Sequence, residues 1–178
     1  MLTSNTLRRS NRYSEKGVDL NIAINVAADS VGLEMADHVV RCAENWKVSP
    51  ESVTLEIIES AISRDEKSVR QFADRLSGEN FRLAIDDYGS GTVPIGQIAA
   101  LGMHTLKIGS GLVHSLAGSD QHGSVASIVS RAKSFNMTVI AEFVDSQEAL
   151  DAIRDLGVDC AQGHFLGEPE DFPLDPPA

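Results

Sequence analysis

Short runs rich in β-branched residues recur along this chain, and an amphipathic stretch separates most of them from the next. A strand followed by a helix before the next strand begins cannot close a hairpin; it must cross over and pair in parallel. The runs are Leu20–Val26, Val53–Ile58, Arg82–Ile85, Thr105–Ile108, Thr138–Ala141 and a weaker Cys160–Phe165. Between them apolar residues keep helical spacing: Ala36, Val39, Val40 and Ala43, then Val69, Phe72 and Leu76. Val125, Ile128, Val129 and Ala132 form a third stripe, and Ala149, Ile153 and Leu156 a fourth. The pattern predicts an α/β fold built on a parallel sheet, either open and doubly wound or closed into a barrel.

Local signals set the expected boundaries. Ser63 with Glu66 reads as a capping box ahead of the Val69 stripe, and Gly78 as its stop. Ser146 and Gly157 bracket the last helix, and Ser49-Pro50 suits a helical turn before the second strand. With 178 residues the chain has room for one ordinary domain. Residues 1–18 read as a remnant helix or flexible lead-in, 19–169 as the β/α domain, and 170–178 as an acidic, proline-rich loose end.

Polar residues choose between sheet and barrel. Asn25 closes the first run, Glu56 lies in the second with Glu59 just beyond, and Asp86-Asp87 follow the third. Lys107, Glu142 and Gln162 stand at the ends of the remaining three. Any one of them alone reads as a solvated rim or turn residue, but the repetition at one edge does not. Ligands of α/β folds bind at the C-terminal edge of the strands, and one group from each strand suits a barrel mouth. So many carboxylates repel one another without a cation, which implies a divalent metal.

The formal charge of −11 excludes a nucleic-acid polymer as main partner, though not a small phosphorylated ligand held through metal ions. Cys42 and Cys160 lack zinc-type spacing, and His38, His104, His114, His122 and His164 read as surface or rim residues. No apolar run nears the ~20 residues of a membrane span. The first residues lack an apolar core behind their basic ones, so a cytoplasmic location is expected.

At this point the sequence resembles the EAL domains, the bacterial cyclic di-GMP phosphodiesterases and their relatives. IAINVAADSV resembles the family's Asn segment, LEIIES its Glu-x-Thr-Glu-Ser motif, and AIDDYGSG its Asp-Asp-Phe-Gly-Thr-Gly loop. LKIGSGLV, VIAEFVDS and AQGHFLGEP resemble the Lys-Ile-Asp, Ala-Glu-Gly-Val-Glu-Thr and Gln-Gly-Tyr segments, in order. The resemblance implies a TIM-type (β/α) barrel, of which about six of eight strands are present. It also implies Mg²⁺ or Mn²⁺, held by Asn25, Glu56, Asp86 and Asp87. Glu142 would be the general base, and Lys107 would contact the attacking water or phosphate. Glu59 would steady the loop containing Gly89 and Gly91, and Gln162 would complete the site.

Departures from the family pattern shape the expectation. Residues 1–19 contain no match to the Glu-Ala-Leu strand, whose Glu ligates metal in the family. Gly109 replaces the Asp of Lys-Ile-Asp, Phe143 replaces a Gly beside Glu142, and Glu168 stands where Lys is common. A degenerate, N-terminally truncated domain that binds or interacts more than it hydrolyses is therefore expected. The alternative is an active phosphodiesterase whose Glu-Ala-Leu strand lies outside these residues or comes from another chain. Two missing strands would expose two sheet edges and an apolar barrel interior, which predicts self-association or a covering partner.

Overall fold

The computed structural model describes residues 2–116 and 122–170. Of the expected acidic tail, residues 171–178 lie outside the described residues, as do the side chains of Leu2 and His122. In chain order the elements are α1 (Leu2–Ser14), β1 (Ile22–Asn25), α2 (Leu33–Trp46), β2 (Val53–Ile58), α3 (Glu59–Ser77), β3 (Arg82–Tyr88) and α4 (Ile95–Ala100). β4 (Thr105–Ile108), α5 (Ser110–Ser115), α6 (His122–Ser134), β5 (Thr138–Ala141), α7 (Gln147–Asp155) and β6 (Cys160–Ala161) follow. The strands pair in parallel in sequence order, β1 to β6. Unbroken sequence order is how a barrel is wound, whereas a doubly wound sheet reverses direction at a switch point. The result is a curled half-barrel of six strands in which β1 and β6 each pair on one side among the described residues.

Alternation gives the sheet two different faces. Ile24, Leu55, Ile57, Leu83, Ile85, Leu106, Ile108, Val139 and Ala141 are buried on the outer, helix-covered face. The helices reach them through the stripes read from sequence, with Ala36, Val39, Val69, Phe72, Leu76, Val125 and Ala132 nearly inaccessible. The concave face corrects one expectation. Registers Thr54↔Arg82, Ala84↔Thr105 and Thr105↔Thr138 place an arginine and three threonines there, below Glu56, Asp86 and Lys107. The interior is largely polar rather than apolar, because these strands carry polar residues on alternate positions.

Several boundaries also move. β1 is shorter than Leu20–Val26, and β3 runs on to Tyr88 across a register irregularity where Asp87 takes a left-handed φ of 51°. β6 ends after two residues, and just beyond it Gly163 passes so close to the Val144 backbone that a Cβ there would lie 2.2 Å from it. α3 begins at Glu59, ahead of the expected Ser63 cap, and breaks at Asp65 (φ −152°, ψ 80°). Asp65 recaps the helix, accepting from Ser68 N at 3.1 Å and Ser68 Oγ at 2.7 Å. Glu66, freed from a capping box, pairs with Arg70 and Gln97. Ser146 does cap α7, accepting from Ala149 N at 3.2 Å, and Gly157 ends it at φ 75°. α4 and α5, six residues each, are too short to have shown a periodicity. α1 docks on α2 by burying Leu7 and Tyr13, and Trp46 Nε1 donates to Ser4 Oγ at 3.2 Å.

Candidate active site

Lys107 organises the concave face. It is the third residue of β4, and alternation turns it inward between strands that carry acids. Its Nζ donates to Glu56 Oε2 of β2 at 3.0 Å and to Asp86 Oδ1 of β3 at 2.9 Å, and pairs with Glu142 Oε1 at 2.9 Å. Glu142 continues the β5 ladder by one step, donating its N–H to Ile108 O, and so holds its side chain level with Lys107. Gln162, just past β6, donates from Nε2 to Glu142 Oε1 at 3.0 Å. Four sheet elements thus supply one hydrogen-bonded cluster of three carboxylates and one ammonium.

Burial sets the charge states. Desolvation would lower the Lys107 pKa, but bonds to Glu142, Asp86 and Glu56 outweigh it and hold the ammonium above the ordinary lysine range. For Glu142 burial wins: its carboxyl is pushed above the usual carboxylate range despite the bond to Lys107, with Asp86 adding repulsion.

Glu59 does a different job at the start of α3. Its buried carboxylate accepts from Gly89 N at 3.1 Å, Gly91 N at 3.0 Å and Val93 N at 2.8 Å, binding the loop after β3. A Cβ on Gly91 would sit 2.7 Å from that carboxylate, so glycine alone permits the approach. Tyr88 Oη donates to Val93 O at 3.2 Å and closes the loop's other side.

Two of the candidate ligands lie apart from Lys107. Asn25 is exposed at the end of β1, in register with Glu56. Asp87 is exposed, and its Oδ1 overlies Gly109 so closely that a Cβ there would come within 2.1 Å. The oxygen donors have the right chemistry for a hard divalent cation. Their present arrangement does not fit one, because Glu56, Asp86 and Glu142 converge on Lys107. Among the described residues no group of three or more His, Cys, Asp or Glu is placed to hold a metal ion.

Beside the cluster opens a cleft of about 540 Å³, lined in part by His114, Phe143, Asp145, Gln162, His164 and Glu168. Of these, sequence reasoning gave a site role only to Gln162. Phe143, marked in the sequence as standing in place of a Gly, takes a positive φ of 56° that a glycine would adopt without strain.

The model of the EAL domain matches residues 1–169. The chain belongs to the EAL domain family. It is 28% identical over 151 residues to cyclic di-GMP phosphodiesterase PdeB of Shewanella oneidensis, covering 84% of this chain and 18% of that protein. Its fold matches the cyclic di-GMP complex of PaMucR phosphodiesterase with a TM-score of 0.85 at 28% identity, covering 93% of this chain and 69% of that one. The manganese and cyclic di-GMP complex of Klebsiella pneumoniae BlrP1 matches with a TM-score of 0.78 at 20% identity, covering 89% and 41%. This EAL chain spans about a fifth of the length of the curated relatives it matches. No helix among its described residues is long and apolar enough to cross a membrane.

Proposed function

We propose that this chain is a cytoplasmic cyclic di-GMP signalling domain that binds the dinucleotide and, by itself, hydrolyses it slowly or not at all. The ion-paired state of Lys107 carries the reading. Its ammonium offsets part of the charge of Glu56, Asp86 and Glu142 and engages oxygens that a divalent cation would use. Asp87 lies against Gly109, away from that cluster, and Phe143 lines the cleft beside it. In this reading residues 19–169 carry the site, residues 1–18 brace it from outside, and Mg²⁺ or Mn²⁺ binds weakly or not at all.

The role of each residue follows from its place. Lys107 orients Glu56, Asp86 and Glu142 and offers positive charge toward a phosphate. Glu142, with its raised pKa, holds or accepts a proton near Gln162, and Glu59 fixes the loop that borders the ligand. Calorimetric titration with cyclic di-GMP, with and without Mn²⁺, tests the reading. The expected result is saturable binding near one ligand per chain, weakened in Asp86→Asn. Absence of saturable heat under both conditions would sink it.

The open edges favour a second reading. Among the described residues β1 and β6 each pair on one side, so their other sides can accept strands from a second copy or a partner, and a strand bearing a suitable glutamate would complete an active phosphodiesterase. Light scattering that finds a dimer, together with metal-dependent turnover when a Glu-Ala-Leu strand is added, would establish it over the first.

A further inference from the structure

β1 carries hydrogen-bonding groups on its open side. Val26 N donates to Glu56 O of β2 at 2.9 Å, and along a strand alternate residues turn their backbone groups to opposite neighbours. Ala23 and Asn25 therefore aim N–H and C=O away from β2, at an edge with no second strand among the described residues. α1 lies alongside this edge. Thr6, Arg9 and Ser10 of the helix line a groove of about 290 Å³ together with Leu20, Ile22 and Ala23. An extended segment laid there would continue the ladder and bury its outward side chains beside Ile22 and α1.

Charge beside the edge defines what such a segment carries. Arg82 starts β3 on the concave face, in one row with Thr54 of β2 and Ala23 of β1. It is exposed and has no hydrogen-bond or ion-pair partner for its side chain among the described residues. Asp19 and Glu51 line the polar cleft it borders without ion-pairing to it. Only a threonine and an alanine stand in the row between its guanidinium and the open edge. On a curled sheet, inward side chains converge toward the barrel axis, so a carboxylate entering from the next strand meets no bulky residue on its way to Arg82. Arg9, in the groove wall, is likewise unpaired among the described residues. α1 as a whole has three arginines and no acid, in a chain of net charge −11. A second copy fits this edge poorly: β6, its other open strand, is two residues long, and β1 against β1 would oppose like charges.

We propose that the open side of β1 takes up an extended segment of a partner protein, apolar on its outer face beside α1 and bearing a carboxylate that turns inward to Arg82. The proposal rests on the open edge named above and on neither dinucleotide binding nor catalysis. The probe is a fluorescein-labelled short peptide that alternates valine and glutamate, added to the whole chain without nucleotide or metal. Its comparators carry lysine in place of glutamate, or proline in place of two of the valines. Anisotropy should show saturable binding of the acidic peptide, at least about tenfold tighter than the lysine peptide. The proline peptide, which cannot complete the ladder, should bind little. Arg82→Gln should weaken the acidic peptide about tenfold at an unchanged melting temperature, whereas Lys67→Gln, the same loss of charge on exposed α3, should stay within about twofold. Hydrogen exchange at the Ala23 amide should slow when the acidic peptide binds. No binding, equal binding of acidic and basic peptides, equal weakening by Lys67→Gln, or binding without slower exchange at Ala23 each overturns the proposal. An Ala23 amide already protected before peptide is added also overturns it; light scattering then shows whether a second copy or the chain itself covers the edge. Because cyclic di-GMP is absent from the assay, either result leaves the dinucleotide reading to its own titration.

Discussion

Replacing Lys107 with methionine would leave three acids facing one another without their cation. The Lys107 side chain is 7% exposed, and its partners Glu56, Asp86 and Glu142 are 9%, 19% and 7% exposed, so water cannot take over its bonds. Removing one partner of a buried ion pair costs about 3–5 kcal/mol. In a chain of this size each kcal/mol is worth about 2–4 °C, so Lys107→Met should melt roughly 6–20 °C below the parent near neutral pH. The pH dependence has a definite sign. The raised pKa of Lys107 means that its stabilisation is fully present below its ordinary value of 10.5 and is lost only as pH rises through the higher folded value. The raised pKa of Glu142 means that its folded form holds a proton more tightly, an advantage present in acid and lost as pH rises through the folded value. In Lys107→Met, acid therefore removes the repulsion, and the deficit should shrink between neutral pH and about pH 4. Thermal denaturation followed by circular dichroism at several pH values measures both effects. A neutral-pH melting point within about 2 °C of the parent, or a deficit that widens in acid, would refute the ion-pair account.

Other perturbations probe the frame around the cluster. Glu59→Ala leaves the amides of Gly89, Gly91 and Val93 without their acceptor and should cost at least about 2 kcal/mol, with faster proteolysis after β3 as the readout. Asp159→Asn removes a carboxylate held below its usual range: burial raises it, but Lys133 and the Val139 N–H lower it further. Its stabilisation is present above the ordinary Asp pKa and lost as pH falls through the folded value, so the urea midpoints of parent and variant should differ at pH 7 and converge in strong acid. Gly163→Ala drives a Cβ into the Val144 backbone and should displace the loop after β6, seen as lost amide protection at Val144 and Phe165.

Much of the architecture was legible because it rests on local alternation. The runs at Val53–Ile58, Thr105–Ile108 and Thr138–Ala141 are strands with those bounds, and the Ala36, Val69 and Val125 stripes are buried. Local signals failed where longer-range contacts decide. β6 is only two residues long, with Gly163 packed on the Val144 backbone just beyond it, and α3 is recapped by Asp65 rather than by Ser63, an equally suitable cap two residues earlier. Acid and amide residues at successive strand ends marked where a site would lie. They could not say that Lys107 would bind Glu56, 51 residues away, while Asp87 turned toward Gly109, because strand register and one left-handed residue set those distances. Phe143 was legible as a replacement for Gly, but its place on the cleft wall was not, because that depends on how the loops after β5 and β6 meet.

The most direct measurement is the fate of the ligand. The purified chain is incubated with excess cyclic di-GMP and Mn²⁺ or Mg²⁺, and the nucleotides are separated by anion-exchange chromatography over several hours. A binding domain whose acids are held by Lys107 should return the cyclic dinucleotide intact while a parallel titration shows it bound. Steady metal-dependent accumulation of the linear dinucleotide over many turnovers would contradict that account and make this chain a phosphodiesterase in its own right.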